Sequence, residues 1–501
     1  MTSTANRPAR PAISIVVALA FFFSLWLLDF PKPMFDDLFY TGAALNMVEG
    51  GDFSNPLLAR QGFPGHYFFV YPPLHSYVLF GWLKIFGVSA GSMTGFAMLM
   101  IVVTTLATIV VLRRHEAGIW LELAVPLGAA FALLELGLRP DTLGVALTMA
   151  GFAVADWRPK AGVPLACGLL LMFLGASAAP RVTLFAIALA VCVGYQAWRQ
   201  CPIPREKLKM LALVICAALL TGLVFLCLIR FQLGPFMNTF RFHSTRFAKT
   251  GATMFSGFVS FATFELRTYN WPLVLIPIGL AIFLYRKAKN SLSTAGICTL
   301  ATFLLAAVAG LLWLGGTWWP ILAMLFLGGA ALKMVSAHWR TSLTTVILTA
   351  LLVANRRDFI GVAGVLGGKI SADLGDERTA ALAIHPSPEH ALLIDCCVAR
   401  YLYDYRLPEG ALDLEFGAPF PGWLPGCTPL PPEKGPEFQE GDVYLACSPI
   451  VSHLVSFTYL QRDIPKWSPF GISRLALDKY PRHIYLIPAE SCKGARAKPL
   501  T

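Results

Sequence analysis

The sequence predicts a polytopic α-helical membrane protein of about eleven spans, followed by a small C-terminal α/β domain. Three observations predict it. The 501 residues are 56% hydrophobic and only 14% charged, and the mean hydropathy of +0.62 is too high for a soluble enzyme. Apolar runs of about 20 residues, the length of one crossing, recur as far as residue 354. Beyond that point the chain turns polar, and short β-type runs alternate with Pro/Gly-rich turns. The net charge of +11 does not imply nucleic acid: no long run of like charge is present, and Lys and Arg in a membrane protein mark the cytoplasmic ends of helices.

Residues 1–11 carry two arginines ahead of an apolar run from Ala12 to Phe30. The run is longer than a signal-peptide core, and Leu28-Asp29-Phe30-Pro31 lacks a small-residue cleavage site, so a retained first span is expected. Further spans are expected near 92–112, 118–138, 141–157, 161–179, 181–198, 208–230, 271–285, 294–314, 317–335 and 341–354. The segment "LHSYVLFGWLKIFG" at 74–87 would reach about 21 Å as a helix, short of a hydrocarbon core of about 30 Å. It is therefore expected to lie in the interface.

Charge supports that choice. With 74–87 excluded, Arg7, Arg10 and the basic groups at 113–115, 156–160, 198–209, 286–289 and 338–340 all fall inside. Counting it as a span would put most of them outside. Trp318 and Trp319 then sit at the outer interface. The N-terminus is thus expected inside, and loops 31–91 and 231–270 outside. Residues 1–354 form the membrane module, and 355–501 an outer α/β domain of about 145 residues, enough for its own core. Its strands are expected in "ALLIDCCV" (391–398), "DVYLAC" (442–447) and "HIYLIP" (483–488). The eleven cysteines show no metal-ligand spacing. Those in the spans serve as small hydrophobes, and those in an outer tail could form one or two disulfides.

Candidate chemistry begins at "FDDLFYTGAALNMVEGGDFSNP", residues 35–56. The pattern from Phe35 to Glu49 is helical, with Phe35, Leu38, Phe39, Leu45 and Met47 on its apolar side. Asp36 and Asp37 fall in the first turn, where the helix dipole favours ionised carboxylates. Neighbours on a helix diverge by about 100°, so one of the two can face a given site and act as a general base. A first-turn acid that only stabilises its helix is the alternative. Glu135, Arg139 and Asp141 lie on the same outer side. Glu135 and Arg139 are i,i+4 and could pair, leaving Asp141 to face a cavity. Arg181 opens a span, and "RFHSTRFAK" supplies Arg241, His243, Arg246 and Lys249. A basic cluster on the outer side calls for an anion: a specific lipid phosphate, or anionic headgroups at large. His66 and Tyr71, in "GHYFFVYPPLH", are further candidates for substrate contact.

Three motifs in order, "FDDLFYTGAALNMVEGGDFSNP", "YPPLHSYVLFGWLKIFGVS" and "LRPD", resemble those of the GT-C glycosyltransferases. The resemblance is to the branch with protein O-mannosyltransferases and lipid A aminoarabinose transferases, and covers residues 12–200. It implies an inverting transfer from a polyprenyl-phosphate sugar to a hydroxyl of an envelope glycan, glycolipid or protein. The enzyme would be integral to the inner membrane, with its catalytic face periplasmic. Asp36 would be the base, with Asp37 its rival. Asp141 would shape the donor or acceptor site, and Arg181 would lie near the lipid phosphate. No metal is required by the residues seen. Val70-Tyr71-Pro72-Pro73 lacks the lysine that the aminoarabinose branch carries before its double proline, which counts against that sugar. The tail does not resemble the β-trefoil of eukaryotic protein mannosyltransferases. A transporter or flippase for a lipid-linked glycan would place charges near the bilayer midplane in paired halves. Here they cluster at one surface without a repeat. A non-catalytic scaffold, the third possibility, would be indifferent to loss of Asp36.

Overall fold

The computed structural model describes residues 10–27, 37–55, 67–114, 119–134, 136–157, 162–201 and 203–247, scattered positions between 279 and 363, and five short strands between 392 and 488. Ten helices run through the first part: α1 (Arg10–Leu27), α2 (Asp37–Val48), α3 (Leu74–Phe86), α4 (Ala90–Arg114), α5 (Ile119–Leu134), α6 (Pro140–Trp157), α7 (Val163–Ala178), α8 (Pro180–Gln200), α9 (Pro204–Leu228) and α10 (Leu233–Phe247). Proline sets many of their starts, since its missing N–H costs nothing in a first turn. Pro140 opens α6, Pro164, Pro180 and Pro204 lie in the first turns of α7, α8 and α9, and Pro73 caps α3.

Gly91–Arg114 and Pro204–Leu228 are long and apolar enough to cross a membrane. They sit differently. α4 is central and packs on α1, α5 and α6. α9 leaves Leu208, Leu211, Ile215, Leu219, Leu220 and Leu223 exposed, as a helix facing lipid would. α6 and α7 form the tightest pair. Gly144 and Gly151 on α6 meet Gly175 and Gly168 on α7, main chain against main chain, the approach that small residues allow.

The bundle has two polar ends. At one, Arg113 pairs with Glu122 at 3.0 Å and also hydrogen-bonds Ser14. Arg114 lies 3.7 Å from Asp156 there. This end joins α1, α4, α5 and α6. The other end carries α2, α3, the α5–α6 turn and α10. α3, at 13 residues, is the short helix expected at 74–87. Gly87, at φ 76°, ends it, and Lys84 Nζ donates to Val48 O at 3.1 Å, tying α3 to the last turn of α2. The loop after α2 folds back, with Asn46 donating to Asp52 O and Ser54 Oγ.

On α2 the described buried positions are Tyr40, Thr41, Gly42, Ala43, Ala44 and Met47, while Leu45 is half-buried. Small residues at 42–44 let neighbours close over that stretch. Within 231–270, expected as a loop, α10 forms because Phe236 and Phe240 are i,i+4 and anchor it. Phe236 packs on Phe69 and Phe225, with ring centroids 6.0 and 5.1 Å away.

In the tail, β1 (Leu392–Ile394), β2 (Leu412–Asp413), β3 (Val443–Ala446), β4 (Thr458–Tyr459) and β5 (Tyr485–Pro488) form one sheet of order β2-β1-β3-β5-β4. β1 pairs in parallel with β2 and β3, while β5 is antiparallel to β3 and β4. β1, β3 and β5 fall within 391–398, 442–447 and 483–488.

Candidate active site

The site is built at the start of α6. α5 stops at Leu134, and the chain turns through Gly137, at φ 53°. Arg139 N–H donates to Leu136 O, and Thr142 N–H to Arg139 O, both at 3.1 Å. This turn delivers Arg139 and Asp141 side by side into the protein. Arg139 is 9% exposed and Asp141 1%. Arg139 Nη2 donates to Tyr40 Oη at 3.2 Å, and the guanidinium lies 5.3 Å from the Tyr40 ring centroid. Its Nε is 3.9 Å from Asp141 Oδ2. Tyr40 Oη donates in turn to Tyr71 Oη at 3.4 Å, with the rings edge to face. Asp141 Oδ1 and Thr41 Oγ1 are buried without a hydrogen-bond partner among the described residues. A buried carboxylate with one oxygen beside an arginine and the other without a partner among the described residues keeps unused acceptor capacity.

The structure brings together Tyr71, Arg139 and Asp141 of the residues singled out by sequence. Asp37 is the first residue of α2, one turn before Tyr40, so the acidic pair borders this network along the chain. Arg181 is the second residue of α8. Its neighbour Val182 packs beside Gly144, one turn into α6, which brings the α8 backbone to the same end. Arg241 is exposed on α10, the helix that also carries His243 and Arg246. Asp36, His66, Lys249 and Glu135 lie outside the described residues. Tyr40 escaped the sequence reading, although its place one turn after the acidic pair was a usable signal.

The expected Glu135–Arg139 pair falls outside the described residues, because Glu135 does. Arg139 reaches Tyr40 and Asp141. Breaking a buried pair from one side strands a charge. Arg139→Leu is accordingly expected to destabilise the protein by about 3–5 kcal/mol, and Arg139→Leu/Asp141→Leu by clearly less. Thermal unfolding in detergent checks this. Equal losses in the single and double variants would contradict the pairing.

Close by in sequence, His75 lies in the first turn of α3, 1% exposed and edge-on to Phe96. Neither ring nitrogen has a partner among the described residues. Burial lowers its pKa from 6.5 to about 3. The folded value is below the unfolded one, so the unfolded chain binds more protons between the two. Stability is therefore complete above about pH 6.5 and falls by about 1.4 kcal/mol per unit below it. Melting curves from pH 7 to pH 4 should show this slope, and His75→Leu should flatten it; an unchanged slope in the variant would refute the assignment.

No family model matches the chain, and neither does any curated protein sequence. Solved structures do. ArnT from Cupriavidus metallidurans in the apo state aligns at a TM-score of 0.50 and 15% identity, over 97% of this chain and 99% of that one. The fold is that of ArnT. The same protein bound to undecaprenyl phosphate aligns at a TM-score of 0.47 and 13% identity, with the same coverage. The likeness is one of fold.

Proposed function

We propose that this protein is an inverting membrane glycosyltransferase. It moves a sugar from a polyprenyl-phosphate donor to a hydroxyl of an envelope glycan, glycolipid or protein at the outer face of the inner membrane. The observation that carries this is the buried Tyr71–Tyr40–Arg139–Asp141 network, bordered by the acidic start of α2. In the proposed step the acceptor oxygen attacks the anomeric carbon and the bond from that carbon to the phosphate oxygen breaks. The hydroxyl proton passes to Asp36, or to Asp37 if that neighbour faces the site. The polyprenyl phosphate leaves as an anion.

Each part has a task. Asp141 Oδ1 receives a hydroxyl of the sugar or the acceptor, while Arg139 orients the carboxylate. Arg181 and the basic residues of 241–249 stabilise charge as it develops on the departing phosphate. His66 and Tyr71 line the donor side. Neutralisation by cationic side chains makes a metal unnecessary to the scheme. The tail, 355–501, is an extracytoplasmic α/β domain that covers the site or helps select the acceptor. The N-terminus is cytoplasmic.

Mass spectrometry of envelope glycans and polyprenyl-phosphate lipids, from cells with and without the protein, tests the proposal. A product lacking one sugar, with accumulated polyprenyl-phosphate sugar, is expected on its loss. Identical profiles would exclude the transferase.

A further inference from the structure

We propose that Arg230 is a ligand for the phosphate group of a membrane lipid, presented by the α9–α10 turn. The assignment rests on the transferase reading only in making the polyprenyl phosphate one of two possible lipids; a bulk anionic phospholipid is the other.

The backbone supplies the first argument. Arg230 N–H donates to Cys227 O at 2.9 Å, and Phe231 N–H to Leu226 O at 2.8 Å. These nested bonds are those of a Schellman motif, in which the residue after the cap is left-handed and usually glycine. Here that residue is Arg230, at φ 54°, and Phe231 follows at φ 58°. Two consecutive non-glycine residues in this region are sterically disfavoured. Nothing in the turn itself calls for an arginine. Its side chain must supply the reason.

The side chain is held, and among the described residues its partners are neutral. Its guanidinium lies 5.2 Å from the Tyr67 ring centroid and hydrogen-bonds Tyr77 and Tyr67, which raise its pKa further. Tyr77 is itself fixed, stacked on Phe53 at 5.2 Å. Phenols are the partners described for it, and no carboxylate is among them. A guanidinium has five N–H donors, more than two phenol oxygens can occupy, and Arg230 remains exposed. The cation is thus preorganised on an aromatic floor, with N–H donors left over by the partners described for it. Bidentate recognition of phosphate suits such a fork.

The surroundings select a lipid over a soluble anion. Phe231, Leu233 and Met237 flank the turn and are exposed. Apolar groups beside a fixed cation match the boundary between headgroups and acyl chains.

The test uses the full-length protein in zwitterionic nanodiscs doped with either a polyprenyl phosphate or phosphatidylglycerol. Lipids retained after release are counted by native mass spectrometry. Arg230→Gly installs the usual residue of the turn, so its melting temperature should be unchanged or higher. Apparent affinity for at least one of the two lipids should nevertheless fall by about tenfold or more. Arg230→Lys should fall between the two. Loss confined to the polyprenyl phosphate would identify the donor as the ligand; equal loss of phosphatidylglycerol would identify a general headgroup site. Wild-type retention of both lipids by Arg230→Gly would overturn the proposal. So would a lowered melting temperature, which would make Arg230 a structural brace. Binding is read without turnover, so failure of the transferase reading would leave this result standing.

Discussion

Asp36→Asn should lower turnover by about 10²–10⁴-fold, the usual contribution of a general base. The substitution removes a charge and a proton acceptor while keeping the side chain's shape. Donor affinity and melting temperature should therefore stay near wild type. The neighbouring Asp37→Asn gives the contrast, because adjacent residues on a helix point about 100° apart. One variant of the two should be nearly inactive and the other mildly impaired. Purified protein in micelles, supplied with a polyprenyl-phosphate sugar and acceptor lipid under single-turnover conditions, measures chemistry separately from binding. Wild-type rates in both variants would remove the acidic pair from the mechanism and with it the proposed proton path.

The other large effect is structural. Gly151→Leu should abolish recovery of folded protein. A Cβ at Gly151 would come within 2.5 Å of Gly168 O and 2.9 Å of Met172 N, both main-chain atoms of α7. Main chain cannot rotate aside as a side chain can, so α6 and α7 would have to separate. The reciprocal position is as tight, since a Cβ at Gly168 would meet Gly151 O and the Ala155 Cβ, each at 2.6 Å. Gly194→Ala serves as control: nothing lies within 4 Å of a Cβ there. Size-exclusion profiles of detergent-solubilised protein should show no monodisperse peak for Gly151→Leu and a normal one for Gly194→Ala. A normal peak for both would mean the helix pair is looser than its geometry states. Because Arg139 and Asp141 enter from the start of α6, this packing also fixes the site's floor.

Much of the helical plan could be read from residue order alone. Apolar runs and first-turn prolines mark α4 and α6–α9 to within a few residues, and the short length of 74–87 was enough to identify α3 as distinct. The site was legible in its charged members, because Asp141 and Arg139 are conspicuous at the edge of an apolar run. It was not legible in its connections. Gly137 turns the chain just before Arg139, and the turn sets that residue beside Asp141 and Tyr40. Tyr71 stood out as a candidate for substrate contact, but only the folded chain joins it to Tyr40 through their hydroxyls. Arg230 looked like the end of a span, since a left-handed backbone leaves no trace in composition.

The ion pairs at the far end of the bundle have a consequence for biogenesis. Arg113 closes α4, but its carboxylate partner Glu122 belongs to α5, and the partner of Arg114, Asp156, belongs to the end of α6. As α4 emerges from the ribosome neither carboxylate has yet been made, and in the proposed topology both arginines favour retention on the cytoplasmic side. The partner of Arg113 arrives with the next helix and that of Arg114 with the one after. The same side chains would act first as orientation signals and later as clasps between helices, so the direction of insertion is decided before the core that depends on it exists.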